Sequence, residues 1–550
     1  MLQFKNGISY FNSAFGMAGS GDKDEELEPL LMQTTEVLEK CKMTAKFMKL
    51  QRPTRTTSKL NDSLAPPARR TADLCSKSYF QHFETVYKIL HEPSFWKRYE
   101  QYWRDPEGAP MDLRLQVLLV IAIGSVLFRE EDLSPGFTFT AHQWVYIIQK
   151  WLSGPLEKSQ LSLSSIQMHC LCILARQTLN IGGDLLWSSM GSLLHTAIQI
   201  GLHRDPTYLP EMSLLQCEVR RRLWLTVVEF CVQSALDSEM PPMITRTDYD
   251  TEPPANINDY ELDETTTSLV AKPECEDTST SQQIAMHKSF PIRLKIVQLM
   301  NGLSPNIAYE DVLELSAALS EAYDATHLAR DSKNNDSRSI FHVNVLEYLC
   351  KRFLLHLHLP FACRASKNPL FQYSRKVCID TTMLLMMSEQ NDTFDRLAAK
   401  AGGPFKHTMR YASVAISLEL LSQTQRHQAE AALQRLAASR ASIEEALHRL
   451  LHLTTERIKH GESNVKNHVF LSMVLAEAHA IEQGRPVKNE IACKALESLH
   501  FCHDLLQSQA GLSTPPEFQQ SDVDNFDFEQ HDWFMSEFDF AGFLQDELLY

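Results

Sequence analysis

Histidines, cysteines and paired carboxylates are the residues of this 550-residue chain whose spacing could do chemistry. His448 and His452 lie at i and i+4, where one helix face can offer two imidazoles to a metal. The glutamate of an H-E-x-x-H zinc protease is missing, however. Arg449 follows His448, and a solvated or core pair is the better reading. His356 and His358, two positions apart, cannot share a helix face. Asp24-Glu25-Glu26 and Asp263-Glu264 sit in exposed contexts, with no apolar shielding to shift a carboxyl toward acid–base work. The twelve cysteines are scattered without one C-x-x-C pair, and the tightest spacing, Cys170-x-Cys172, falls in an apolar helical pattern. Buried, reduced thiols of an intracellular protein fit this better than a disulfide framework or a zinc site. No G-x-S-x-G, Walker A or G-x-G-x-x-G sequence is present, nor an aspartate-rich metal motif of the kind a helical terpenoid-type synthase needs. An all-helical enzyme is therefore disfavoured, and the expectation is no catalytic set and no metal or cofactor bound by this chain.

Charge offers two further candidates. Arg220, Arg221 and Arg222 could contact phosphate, but Glu218 and Glu229 on the same helical pattern make a salt-bridged surface an equally good reading. From Lys42 to Arg70 the chain carries Lys42, Lys46, Lys49, Arg52, Arg55, Lys59, Arg69 and Arg70 against the single acid Asp62. This basic stretch reads as a nuclear-import signal, a phosphate-facing arm or a solvated linker. The net charge of −16 argues against a whole surface built for nucleic acid. Ten of the acids fall between Thr514 and Tyr550, where there is no Lys or Arg.

The elements that must position these residues are helices. Apolar positions recur at helical spacing in Asp22–Leu50, Asp73–Tyr87, His142–Trp151, Ser164–Asn180, Leu185–Ile200 and Glu218–Leu236. Gly201 stands where a C-capping glycine belongs, and Leu113–Phe128 is apolar almost all round, as in a helix buried on every side. The longest mainly apolar run, Val117–Phe128, is well short of the roughly 20 residues a bilayer span requires, and no membrane association is expected. Residues 250–285, acidic and rich in Thr, Ser and Pro, predict a long exposed loop. Helical patterning resumes at Pro291–Leu299, Tyr309–Leu328, Ile340–Leu357, Ser374–Met387, Phe405–Leu421, Ala429–His460, Val465–Ile481 and Val487–Ser508. Strand alternation is not sustained anywhere. The fold class is all-α, a multi-helix regulatory domain with a disordered acidic loop and C-terminal tail. Its parts are an N-terminal helix and basic linker (1–72), a main body (73–400), a helical extension (401–510) and an acidic-aromatic tail (511–550). In the tail, Phe518, Phe526, Phe528, Trp533, Phe534, Phe538, Phe540 and Phe543 alternate with acids. Carboxylate repulsion would keep these rings available to a partner's groove, the composition of an activation segment. A helix packed on the core is the alternative.

Several ordered pieces resemble the middle homology region of fungal zinc-cluster (Zn2Cys6) transcription factors. Gly201-Leu202-His203-Arg204-Asp205 is similar to that family's G-L-H-R-D helix end. Glu218-Val219-Arg220-Arg221-Arg222-Leu223-Trp224 is similar to its E-x-R-R-R-x-W helix, and Asp248-Tyr249-Asp250-Thr251-Glu252-Pro253-Pro254 to its D-x-D-x-x-x-P loop. Upstream, His91-Glu92-Pro93-Ser94-Phe95 resembles its H-x-P-x-F turn, and the likeness runs from about Asp73 to Met387. Gly201, His203, Arg204, Asp205, Arg220, Arg221, Arg222, Trp224, Asp248, Asp250 and Pro253 are read as structural, with the arginines bridging to Asp248 or Asp250.

The resemblance implies a nuclear transcription regulator, of a metabolic or secondary-metabolite biosynthetic pathway, that reaches transcription machinery or co-activators through its tail and works as a homo- or heterodimer. Members of that family bind DNA through six N-terminal cysteines holding two zinc ions. Only Cys41 and Cys75 precede residue 170 here. No DNA-binding residue or zinc ion is therefore carried over. DNA contact is expected only through a zinc cluster upstream of this sequence or through a partner, the latter making the chain a DNA-binding-deficient co-regulator. The basic linker slightly favours the former.

Overall fold

The computed structural model describes residues 27–52, 64–154, 161–303, 307–328, 337–429 and 434–511. These residues form nineteen α-helices and short 3-10 turns, with no strand among them, as the helical periodicity predicts. The chain divides into two compact units. The tail aromatics and Asp24-Glu25-Glu26 lie outside the described residues.

One unit lies within Pro53–Phe353 and Glu389–His407. Its first helices are α2 (Arg69–His82), α3 (Glu84–Tyr87), α4 (Glu92–Arg104), α5 (Met111–Ser125), α6 (Phe137–Leu152) and α7 (Leu163–Thr178). α5 has twelve buried residues of fifteen, which matches its mostly apolar composition. It crosses α2 closely because Gly124 has no side chain: a Cβ there would run into the Cys75 carbonyl. Lys88, in the left-handed region at φ 42°, turns the chain out of α3. Pro93 then sits in the first turn of α4, where its missing N–H costs nothing. Phe80, Phe95, Trp96 and Tyr99 pack as an aromatic cluster between α2 and α4. α8 (Leu186–Gln199) ends at Gly201, φ 77°, and the long α9 (Leu214–Ser238) starts at Ser213, whose hydroxyl accepts from Gln216 N–H at 3.2 Å. α10 (Ser281–Lys288), α11 (Phe290–Met300), α12 (Tyr309–Leu328), the first part of α13 (Ser337–Ala362) and the short α15 (Asp392–Lys400) complete the unit.

The segment 250–285 corrects an expectation. It is neither exposed nor irregular throughout: Thr251, Asn256, Ile257, Asp259, Leu262, Thr278, Thr280 and Ser281 are buried. Asn256 donates to the carbonyls of Pro273 (2.8 Å) and Glu276 (3.0 Å), and Thr280 Oγ1 bonds Ala255 O at 2.9 Å. Short polar side chains satisfy the backbone here, so the stretch is folded without a periodic apolar face.

The other unit lies within Met1–Arg52, Leu354–Ser388 and Thr408–Tyr550. α1 (Leu27–Leu50), α18 (Lys466–Gln483) and α19 (Val487–Ala510) share a core of Val37, Leu38, Cys41, Val469, Met473, Leu499, Cys502 and Leu506. α14 (Gln372–Met386) packs on α17 (Gln434–Lys459), and α16 (Pro404–Ala429) completes the helices.

Candidate functional site

Along α9, residues Glu218, Arg222, Thr226, Glu229, Gln233 and Asp237 fall on one side at helical spacing. All are buried, although the helix between them is apolar: Leu223, Trp224, Val227, Val228, Phe230 and Val232 are each fully enclosed. A polar seam inside an apolar helix must be satisfied by other elements, because an unpaired buried charge costs several kcal/mol.

Four anchors do this. Arg221 grips Asp205 with two parallel bonds of 2.9 Å and also pairs with Glu218 at 2.9 Å. Asp205 further accepts from the Thr207 and Glu252 amides at 3.0 and 3.2 Å. Burial alone would raise the Asp205 carboxyl, but bonds from Arg221, Thr207 and Glu252 outweigh it and hold the group well below the usual range. In the second anchor, Asp259 takes Lys88 Nζ at 2.9 Å, Arg222 Nη1 at 3.0 Å and the Glu92 amide at 3.1 Å. Burial opposes its ionisation, yet Lys88 and Arg222 pull its pKa down to about 2. The Asp259 carbonyl meets His91 Nε2 at 2.9 Å and its amide donates to Ser279 Oγ. The third is Glu229 with Arg293, a bidentate pair at 2.5 and 2.9 Å, with Gln233 on the same carboxylate. The fourth is Asp237 with Arg352 at 2.5 Å, Arg352 also bonding Gln233 Oε1 at 2.8 Å.

The signature residues therefore hold one another. The Asp205 amide donates to Asp250 Oδ1 (2.8 Å), the Asp250 amide to the His203 carbonyl (3.1 Å), and Arg204 pairs with Asp250 at 3.3 Å. Arg220 reaches the Ile200 carbonyl at 2.8 Å, closing the end of α8 beside Gly201. Trp224 is fully buried against the rings of His203 and Tyr249. Two expectations are corrected. Arg204 does bridge to Asp250, but Arg220, Arg221 and Arg222 bridge to neither Asp248 nor Asp250: Asp248 is exposed and caps the Thr245 amide, while the three arginines go to Ile200, Asp205 and Asp259. They do not form a salt-bridged surface with Glu229 either, since Arg222 is 1% exposed and Glu229 belongs to Arg293. Pro253 is exposed.

The sequence reading missed Lys88, Asp237, Asp259, Arg293 and Arg352 as anchors, and it gave Glu229 to the wrong arginines. Glu229 inside the apolar run Leu223–Leu236 and Asp237 at its end were the available signal.

Beside this network, Glu84 is wholly buried, bonded to Tyr79 Oη and to the Leu90 amide at 2.7 Å. Burial pushes its carboxyl up to about 8 despite Lys88 nearby. A mainly apolar cavity of about 30 Å³ lies between the α2–α3 corner (Phe83, Val86), the end of α7 (Gln177), α13 (Val345) and the turn before α16 (Ala401, Gly402). That is room for about one or two water-sized groups.

In the other unit, His356 stacks on Tyr411 and His358 bonds Ser374 Oγ at 2.9 Å, its pKa lowered to about 4 by burial. His448 and His452 are exposed. Among the described residues no three His, Cys, Asp or Glu side chains gather to hold a metal, so no step through zinc is assigned to them. No described helix is long and apolar enough to cross a membrane.

Comparison with known proteins decides the family. Residues 77–309 match the fungal specific transcription factor domain. The chain is 36% identical to transcription factor asR3 of Sarocladium schorii over 92% of its own length and 66% of that protein's. It is 31% identical to transcription factor opdR of Penicillium oxalicum over 90% of its length and 67% of the relative's. The chain belongs to the fungal transcription factors. Within this family it is also similar to the aspyridones cluster regulator apdR of Emericella nidulans, 26% identical over 78% of the chain and 60% of that relative. It spans about two thirds or less of the length of these three relatives. The matched domain contains α9 and all the signature residues from Gly201 to Pro253.

Proposed function

We propose that this chain is the regulatory body of a transcription regulator controlling genes of a secondary-metabolite biosynthetic pathway. The observation that carries the reading is its likeness, over most of its length, to fungal transcription factors, one of them named a regulator of the aspyridones cluster. The network on α9 fits a scaffold: its charged groups are spent on one another, leaving none arranged to act on a substrate. In this reading the protein acts in the nucleus. DNA is reached through a zinc cluster joined to this body or through a partner factor, and residues 511–550 recruit transcription machinery.

Fusing residues 511–550 to a foreign DNA-binding domain should activate a reporter. Phe538→Ala with Phe540→Ala should lower the output at equal protein level. A silent wild-type fusion would remove the tail from the proposal.

A further inference from the structure

The cavity between the α2–α3 corner, the end of α7 and α13 stands open to solvent. It measures about 30 Å³ at its depth and about 440 Å³ when the space out to its mouth is counted. Its wall is mostly apolar, with Phe83, Val86, Leu174, Phe341, Val345 and Phe405 among the lining, and no Asp, Glu, Lys or Arg side chain lines it. Four polar side chains do: His82, Tyr87, Gln177 and Thr178. Two of these are engaged. His82 Nδ1 meets the Ser78 carbonyl at 2.9 Å, and the Thr178 hydroxyl donates to the Leu174 carbonyl at 2.9 Å. The other two are not. The Tyr87 hydroxyl and the Gln177 carboxamide have no hydrogen-bond partner among the described residues, although Tyr87 is only 7% and Gln177 only 5% exposed. An enclosed polar group without a partner is costly. Both belong to the wall of one recess, so what fills the recess is what can answer them.

The surrounding backbone holds this pair in place. The Gly402 amide donates to the Gln177 carbonyl at 2.7 Å, and a Cβ at Gly403, φ 52°, would stand 3.4 Å from Gln177 Cγ. Size and charge then select the occupant. An aromatic ring needs a cavity on the order of 150 Å³, about five times the depth available here, whereas an unbranched chain needs the width of one carbon at a time. An ionised group would enter a wall that offers it no counter-charge. An occupant would also be felt by α9. The Tyr87 ring packs on Phe230 of that helix with centroids 4.9 Å apart, and the Tyr87 carbonyl accepts from Thr226 Oγ1.

We propose that this recess is a binding site for a small neutral aliphatic molecule bearing one hydroxyl or carbonyl, its chain against the apolar wall and its oxygen bonded to Tyr87 and Gln177. A mostly apolar wall with a few placed polar groups is the usual make-up of a small-molecule site. The inference does not depend on what the protein regulates.

The test is saturation-transfer nuclear magnetic resonance on the full 550-residue chain with straight-chain alcohols from propanol to octanol, and circular dichroism as a folding control. Affinity should rise about fourfold per methylene and level off once the recess is full. Butanoate, the charged counterpart of butanol, should bind about tenfold more weakly or worse. Tyr87→Phe and Gln177→Leu should each lower affinity for the alcohols about three- to tenfold, and leave that for chlorobutane, which has no hydroxyl, unchanged. Val345→Phe should plug the recess and abolish binding. Val86→Ile, a smaller filling, should make the levelling-off come about one carbon earlier. A wild type that takes none of the alcohols overturns the proposal, the recess then holding water alone. So does binding that survives Val345→Phe in a folded chain, or that is indifferent to both Tyr87→Phe and Gln177→Leu, since the alcohols must then sit elsewhere.

Discussion

Asp259→Asn isolates what the second anchor of α9 contributes. The substitution keeps the shape of the side chain and removes its charge, leaving Lys88 and Arg222, 3% and 1% exposed, without a counter-ion. Breaking a buried pair in this way costs about 3–5 kcal/mol, a large share of the 5–15 kcal/mol typical of a whole domain. Because the carboxylate also ties residues 250–285 to α4 through the Glu92 amide, the loss should appear first as local opening. Hydrogen exchange followed by mass spectrometry on the full chain should show peptides from 250–285 exchanging roughly two to four orders of magnitude faster. Removing one cation as well, in Asp259→Asn/Lys88→Met, restores the net charge of the cluster. It should recover part of the protection, a coupling of about 1–3 kcal/mol. Exchange unchanged by Asp259→Asn, or strictly additive costs in the double variant, would refute the charge-balance reasoning.

Glu84 gives a pH dependence of the opposite sign to most carboxylates. Its folded pKa, about 8, lies above the unfolded value near 4.5; between them the folded chain holds a proton that the unfolded chain has lost. Stability should therefore fall as pH rises from about 4.5 to 8, by up to about 1.4 kcal/mol per unit, and urea midpoints of Glu84→Gln should lose that slope. Asp259 acts below this window: its depressed pKa contributes stability that is present above about pH 4 and disappears as pH drops toward 2. Val86→Ile adds one methylene to the wall of the 30 Å³ cavity. It should raise stability by up to about 0.7 kcal/mol, read as a higher melting temperature, whereas a lower one would mean the space cannot accept it. Gly124→Ala forces α2 and α5 apart at the Cys75 carbonyl. It should cost more than the 1–3 kcal/mol of ordinary overpacking and lower the soluble yield of the chain.

Regular helices were legible from periodicity, because burial there repeats every three to four residues. The sequence reading of Tyr309–Leu328 coincides with α12, and Gly201 stands at the expected helix end. The 250–285 stretch was not legible, since its order rests on Asn256, Thr278, Thr280 and Ser281 bonding backbone, a composition identical to that of a solvated loop. The helix Asp392–Lys400 escaped notice at nine residues, although Asn391 caps it through two amides. The charge partners were hidden for another reason: Lys88 and Asp259 are 171 positions apart, and Asp237 and Arg352 are 115 apart. Local patterning can mark Asp237 as an acid in an apolar helix, but it cannot say which arginine answers it.

Three consecutive arginines on α9 point to three different segments: the end of α8, the Asp205 turn and the Asp259 strap. Successive helix positions differ by about 100°, so a single inserted or deleted residue within Glu218–Arg222 would turn every downstream anchor, through Asp237, away from its partner at once. A changed side chain at one anchor costs that anchor, whereas a changed count costs every anchor beyond it. Insertions that the turn at Tyr208–Leu209 could absorb should abolish folding when moved into Arg220–Arg222.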